Sequence, residues 1–116
     1  MKRIGVVVFP GFQILDMVAV SVFELANLEA GPGQPTYEIE LISEHGGLVR
    51  SSSGVQVGSK AFDDPAYDTV VVAGAMFVEP SSAGLRAFLK RALAASRRTA
   101  SICTGAFVLA EAGILD

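Results

Sequence analysis

Cysteine, histidine and charge are all scarce in this chain, and each scarcity excludes something. There is one cysteine, Cys103, and one histidine, His45, in 116 residues. A lone cysteine forms no disulfide within the chain and argues against a cysteine-based structural zinc site. It is left as either an inert core residue or a nucleophile. Asp, Glu, Lys and Arg together make up only 18% of the residues, with a net charge of -3. No basic cluster exceeds the pairs Lys90-Arg91 and Arg97-Arg98. Binding to nucleic acid needs a basic footprint to neutralise phosphates, so DNA contact is not expected from these residues. Long apolar runs are missing as well. A membrane span needs about 20 apolar residues, and the best stretch, 12–30, is interrupted by Asp16, Glu24 and Glu29. Met1-Lys2-Arg3 resembles the start of a signal peptide, but the apolar run behind it stops at Pro10-Gly11 without a small-residue cleavage site. A cytoplasmic protein with no metal and no cofactor is expected.

Apolar residues are what the chain has in quantity: 51% of the total, with a mean hydropathy of +0.49. Strands buried on both faces of a parallel sheet read as continuous apolar runs and give such a composition. Two runs fit, 4–9 (IGVVVF) and 68–73 (DTVVVA), with a shorter one at 99–102. Residues 37–43 (YEIELIS) alternate, as a half-buried or edge strand does. Short strands at 48–50 and 54–57 flank the turn Ser51-Ser52-Ser53-Gly54, which predicts a hairpin. Leu15, Val18, Ala19, Val22, Phe23 and Ala26 recur at helical spacing and predict a helix over 13–29. Leu85, Phe88, Leu89, Ala92 and Leu93 predict a second over 81–98, with Arg97 and Arg98 at the negative end of its dipole. A third, Ala-rich helix is predicted over 104–112, closed by Gly113. Strands alternating with helices imply crossovers, hence an α/β fold with a mostly parallel sheet and helices on both faces. A length of 116 residues suits one domain. The chain stops just after a helix closes, as a domain incomplete at its C-terminus would.

Ligands of open parallel sheets bind at the carboxyl ends of the strands. Three groups fall there. Asp16 follows the first strand, Gly74 closes the strand 68–73, and Cys103 closes the strand 99–102. Small residues surround Cys103 in Ala100-Ser101-Ile102-Cys103-Thr104-Gly105-Ala106. A tight strand-to-helix turn needs such neighbours, and it lifts its central side chain clear of the sheet. A helix N-terminus there favours the thiolate. The alternative is a cysteine packed as a small hydrophobe. Asp16 could hold a proton or orient a ligand, or it could complement a helix dipole. Gly74 could supply a backbone donor to an oxyanion, or it could merely end a strand. His45 lies in a turn after a different strand and reads as a solvated surface residue.

These residues resemble a known family. The stretches 8–16 (VFPGFQILD), 68–75 (DTVVVAGA), 101–107 (SICTGAF) and 113–116 (GILD) are similar to the opening, the oxyanion turn and the nucleophile elbow of ThiJ/PfpI domains. That superfamily has the flavodoxin-like fold of class I glutamine amidotransferases. Residues 23–27 (FELAN), 43–47 (SEHGG) and 50–54 (RSSSG) are most similar to the GlxA-like group of AraC-family regulators. The resemblance implies a ligand-sensing domain over 1–116, more strands beyond it, and a DNA-binding helix-turn-helix domain further downstream. It also implies a small-molecule effector, such as a nitrogenous metabolite, and a homodimer. Ligand contacts would come from Asp16, Gly74, Ala75, Cys103 and Thr104. In the superfamily's isonitrile hydratases the matching roles would be nucleophile for Cys103, acid/base for Asp16, and supporting hydroxyl and backbone donor for Thr104. Two departures favour a sensor over a cysteine-dependent hydrolase or hydratase. Ala19-Val20 stands where the family often has Gly-Pro, and Gly74-Ala75, followed by bulky Met76-Phe77, stands where it often has Gly-Gly. A redox-sensing thiol is a third reading.

Overall fold

The computed structural model of the protein describes residues 2–33, 36–62, 66–75 and 82–102. Six strands form one sheet in the order β3-β4-β2-β1-β5-β6. The central strand β1, Lys2–Val7, pairs in parallel with β2, Tyr37–Ser43, on one side and with β5, Thr69–Val72, on the other. β6, Arg98–Ser101, extends the sheet in parallel beside β5. The hairpin of β3, Gly47–Arg50, and β4, Gln56–Ala61, is antiparallel, and β4 joins β2 in parallel. The class is therefore α/β with a mixed, mostly parallel sheet. The apolar runs of β1 and β5 are its centre: Ile4, Val6, Val7, Val70 and Val72 have no exposed surface.

Among the described residues one helix packs on each face. Alternate residues of a strand point to opposite sides of the sheet. Val7, Val70 and Val72 pack on Leu85, Phe88, Leu89 and Ala92 of α2, Ala83–Ala95. Ile4, Val6 and Val71 pack on Ala19, Val20 and Phe23 of α1, Val18–Ala30. Asn27 ties α1 to β2 through both groups of its side-chain amide: it donates to the Tyr37 carbonyl at 2.9 Å and accepts from the Tyr37 N–H at 2.7 Å. No helix among the described residues is long and apolar enough to cross a membrane.

Several expectations need correction. The predicted first helix begins as a 3-10 turn, Ile14–Met17, before α1 proper. Only Ala19 of α1 is buried, while Val18 and Val22 of the predicted stripe are more than half exposed. β2 is half-buried, one of the two readings of its alternation, but it lies inside the sheet rather than at its edge. Glu40 contributes to its alternation and is held by hydrogen bonds from Arg3 at 3.1 Å and from the Tyr67 hydroxyl at 3.0 Å. Arg97 and Arg98 are not in the last turn of α2. The helix ends at Ala95, Arg97 sits 3.8 Å from Asp68, and Arg98 opens β6. Leu93 is 43% exposed, so the buried stripe of α2 is Leu85, Phe88, Leu89 and Ala92. The third predicted helix, 104–112, lies outside the described residues.

Candidate functional site

β1 and β5 are neighbours, yet the chain leaves them for opposite faces: α1 follows β1 on one side and α2 follows β5 on the other. This is a topological switch point, where the carboxyl ends of adjacent strands open a crevice. Two of the expected site residues meet there. Asp16, only 1% exposed, accepts the Gly74 N–H through Oδ2 at 2.7 Å. The two are 58 positions apart in sequence and are joined by the fold.

The loop after β1 makes this possible. Gly11 adopts φ 88°, a left-handed value that a glycine reaches without steric penalty. The chain then turns back, with Phe12 donating its N–H to the Phe9 carbonyl at 3.0 Å. On one side the loop is bonded to the hairpin: the Gly11 N–H reaches the Arg50 carbonyl, and the Ser52 N–H reaches the Phe12 carbonyl, each at 2.9 Å. On the other side the Gln13 N–H reaches the Gly74 carbonyl at 2.9 Å, and Phe12 forms an antiparallel bridge with Ala75. Phe12 itself is fully buried with Val8, Val49 and Ala73. The carboxylate of Asp16 is thus fixed by a loop anchored at three points, and Ala75 is built into that anchor.

The Gly74 N–H points at Asp16. A donor taken by a protein carboxylate is not free to meet an oxyanion, since a backbone N–H carries a single hydrogen. Cys103 and Thr104 lie outside the described residues. The described chain runs to Ile102, whose N–H bonds the carbonyl of Val72, the last residue of β5 and two positions before Gly74, at 3.0 Å. His45 is exposed and lies 3.7 Å from Glu44. Its place in the fold is that of a surface residue. Among the described residues no three His, Cys, Asp or Glu side chains gather as a metal site. Phe12 and the hairpin were missed as parts of the site. The dipeptide Pro10-Gly11 marks the turn, but only tertiary pairing shows what that turn grips. An open cavity of ≈ 600 Å³ sits at the opposite, amino edge of the sheet beside Phe23, Tyr37 and Thr99, well away from Asp16.

A parallel α/β domain with a buried carboxylate held at its switch point is the class of protein that this geometry defines. The chain belongs to the DJ-1/PfpI family, whose profile matches residues 2–116. It is 38% identical over 119 residues to an uncharacterized protein encoded in the cpoL 5' region of Streptomyces lividans, covering 98% of this chain and 82% of that protein. It is 33% identical over 123 residues to the HTH-type transcriptional regulator GlxA of Rhizobium meliloti, covering 99% of this chain and 36% of the regulator. The HTH-type regulator GbdR of Pseudomonas aeruginosa is 32% identical over 119 residues, with 99% and 32% covered. An isonitrile hydratase of Pseudomonas putida is 32% identical over 118 residues, with 98% and 49% covered. The chain spans about a third of the length of the two regulators and about half of the hydratase. Among solved structures, an AraC-family transcriptional regulator from Pseudomonas putida superposes with a TM-score of 0.85 at 22% identity, covering all of this chain and 63% of that one, and so shares the fold.

Proposed function

We propose that residues 1–116 are the N-terminal part of the ligand-sensing domain of an AraC-family transcriptional regulator, and that a downstream helix-turn-helix domain binds DNA. The observation that carries this reading is the Asp16–Gly74 hydrogen bond. It gives the crevice a fixed, desolvated acceptor suited to a small ligand bearing N–H groups. It also occupies a backbone donor that an oxyanion-forming enzyme would keep free. The likeness to GlxA and GbdR over 99% of the chain supports the same reading. Asp16 would accept from the effector, while Gly74, Ala75, Cys103 and Thr104 would line the rest of its site. Occupancy would then alter DNA affinity through the linkage between the two sites.

The test is a titration of DNA binding by the full-length regulator against a panel of small amines and amides, with and without Asp16→Asn. Asparagine keeps an acceptor for Gly74 but removes the charge. The expected result is an effector response in the wild type that is lost in the variant, while DNA binding without effector is unchanged. An unaltered response in Asp16→Asn would remove the proposal.

A second reading is a cysteine-dependent hydratase, favoured by the 32% identity to an isonitrile hydratase. Cys103 would be its nucleophile, with Asp16 as acid/base and Thr104 in support. Turnover of isonitriles that disappears in Cys103→Ser would establish it, and absence of turnover in the wild type would exclude it.

A further inference from the structure

The amino edge of the sheet holds a cavity that the switch point does not use. Strand alternation fixes its floor. Val71 packs with Ile4 and Val6 on the α1 side of the sheet. Thr69 and Lys2, each two positions back along its strand, lie on that side too. Arg98, the register partner of Thr69, joins them from β6. Thr69 and Val71 are buried and form the floor, while Phe23 of α1 and Tyr37 of β2 line one wall. That wall is preformed. The two rings meet edge to face at 5.0 Å between centroids. Asn27, one turn after Phe23, holds the Tyr37 backbone through both groups of its amide. At ≈ 600 Å³ the cavity is within the range of small-molecule sites, about 300–1,000 Å³.

The charges around it do not cancel. Lys2, Asp68, Arg97 and Arg98 all border the cavity. Asp68 is engaged already: it accepts from the Thr69 hydroxyl at 3.0 Å and lies 3.8 Å from Arg97. With the Thr69 hydroxyl occupied in that bond, the floor suits an apolar body. Lys2 and Arg98 are exposed, and neither has a carboxylate within ion-pair distance among the described residues. They stand two strand spacings apart, about 10 Å across the sheet, so two long side chains can converge on one anionic group. The chain as a whole is acidic, with a net charge of -3, and this edge reverses that sign. An aromatic wall, an apolar floor and two uncompensated cations fit a flat apolar body carrying a carboxylate.

We infer that this cavity is a second ligand site, one for an aromatic carboxylate. It lies at the opposite edge of the sheet from Asp16, and it does not depend on what the switch-point crevice binds.

The test is calorimetric titration of the full-length protein with naphthalene-1-acetate, its methyl ester and acetate. The ester has the body without the charge, and acetate has the charge without the body. None of the three carries an N–H group for the Asp16 acceptor. Naphthalene-1-acetate should bind, the ester should be about tenfold weaker, and acetate should show no binding in the same range. Lys2→Gln and Arg98→Gln should each weaken naphthalene-1-acetate about three- to fivefold, the size of an exposed charge contact, and leave the ester unchanged. Asp16→Asn should leave all three affinities unchanged, which separates this site from the switch point. Circular dichroism confirms folding. If a variant does not fold, the three ligands on the wild type decide. No binding of naphthalene-1-acetate, as when a later part of the chain fills the cavity, would overturn the inference. So would an ester as tight as the acid, an affinity indifferent to both cation changes, or an affinity lost in Asp16→Asn.

Discussion

At the scale of single residues the site turns on one bond, and its energetics can be separated from its chemistry. Asp16 and the Gly74 N–H are both buried. Removing the acceptor leaves a desolvated donor, which costs about 1–3 kcal/mol. Asp16→Ala should therefore lower the urea midpoint by an amount in that range at an unchanged m-value, while Asp16→Asn, which keeps an acceptor, should lose clearly less. Equal losses would mean that the charge, not the hydrogen bond, holds the loop. A second residue-scale contrast lies at the start of β3. Gly46 and Gly47 have φ of 70° and 71°, and a left-handed residue with a Cβ costs roughly 1–2 kcal/mol. A Cβ on Gly47 meets open space, whereas one on Gly46 comes 2.8 Å from the Ala61 nitrogen, too close for either to stay in place. Urea unfolding should rank Gly46→Ala as more damaging by about 1 kcal/mol or more, and equal values would contradict the placement of β3 against β4. Asp16 and Gly74 were legible as rim residues because both follow apolar strands. That they bond to each other was not, because a spacing of 58 positions carries no local signal.

At the scale of elements the two helices are held differently. α2 buries a four-residue stripe, and Phe88 has no exposed surface and stacks on Phe62 at 4.0 Å between centroids. Phe88→Ala should cost about 3–5 kcal/mol. Ser82 caps the same helix, accepting the Leu85 N–H at 3.1 Å and donating to Glu44 at 2.6 Å, so Ser82→Ala should cost about 1 kcal/mol. Thermal melting of both variants checks the order, and a Ser82 loss as large as that at Phe88 would sink it. The amino acids announced these elements unequally. Continuous apolar runs located β1 and β5 because a strand buried on both faces has no other composition. The stripe of α2 was legible for the same reason, down to its Leu93 margin. On α1 the apolar residues go nearly all the way round, so periodicity located the helix but could not tell the side that meets the sheet from the side that faces outward. The interior place of β2 was hidden because an ion-paired Glu40 imitates the alternation of an edge strand.

At the scale of the whole molecule the sheet divides into a core and two margins. β1 pairs over six residues with β2 and over four with β5, and β1 and β5 hold Ile4, Val6, Val7, Val70 and Val72, none of which has exposed surface. The margins are thinner: β3 and β4 expose most of their residues, and β6 is buried at none of its four positions. Local opening free energies follow such contrasts, with the global value reached only in the best-packed strands. In hydrogen–deuterium exchange of the full-length protein, peptides covering β1 and β5 should be the slowest, and those covering β3 and β4 distinctly faster. The two helices should differ as well. α1 has a single buried residue, Ala19, whereas α2 buries Leu85, Phe88, Leu89 and Ala92, and the amides of a helix open when little packing holds them. Peptides covering α1 should therefore exchange distinctly faster than those covering α2. Protection of α1 equal to that of α2 would mean that the helix is held by a contact beyond the described residues.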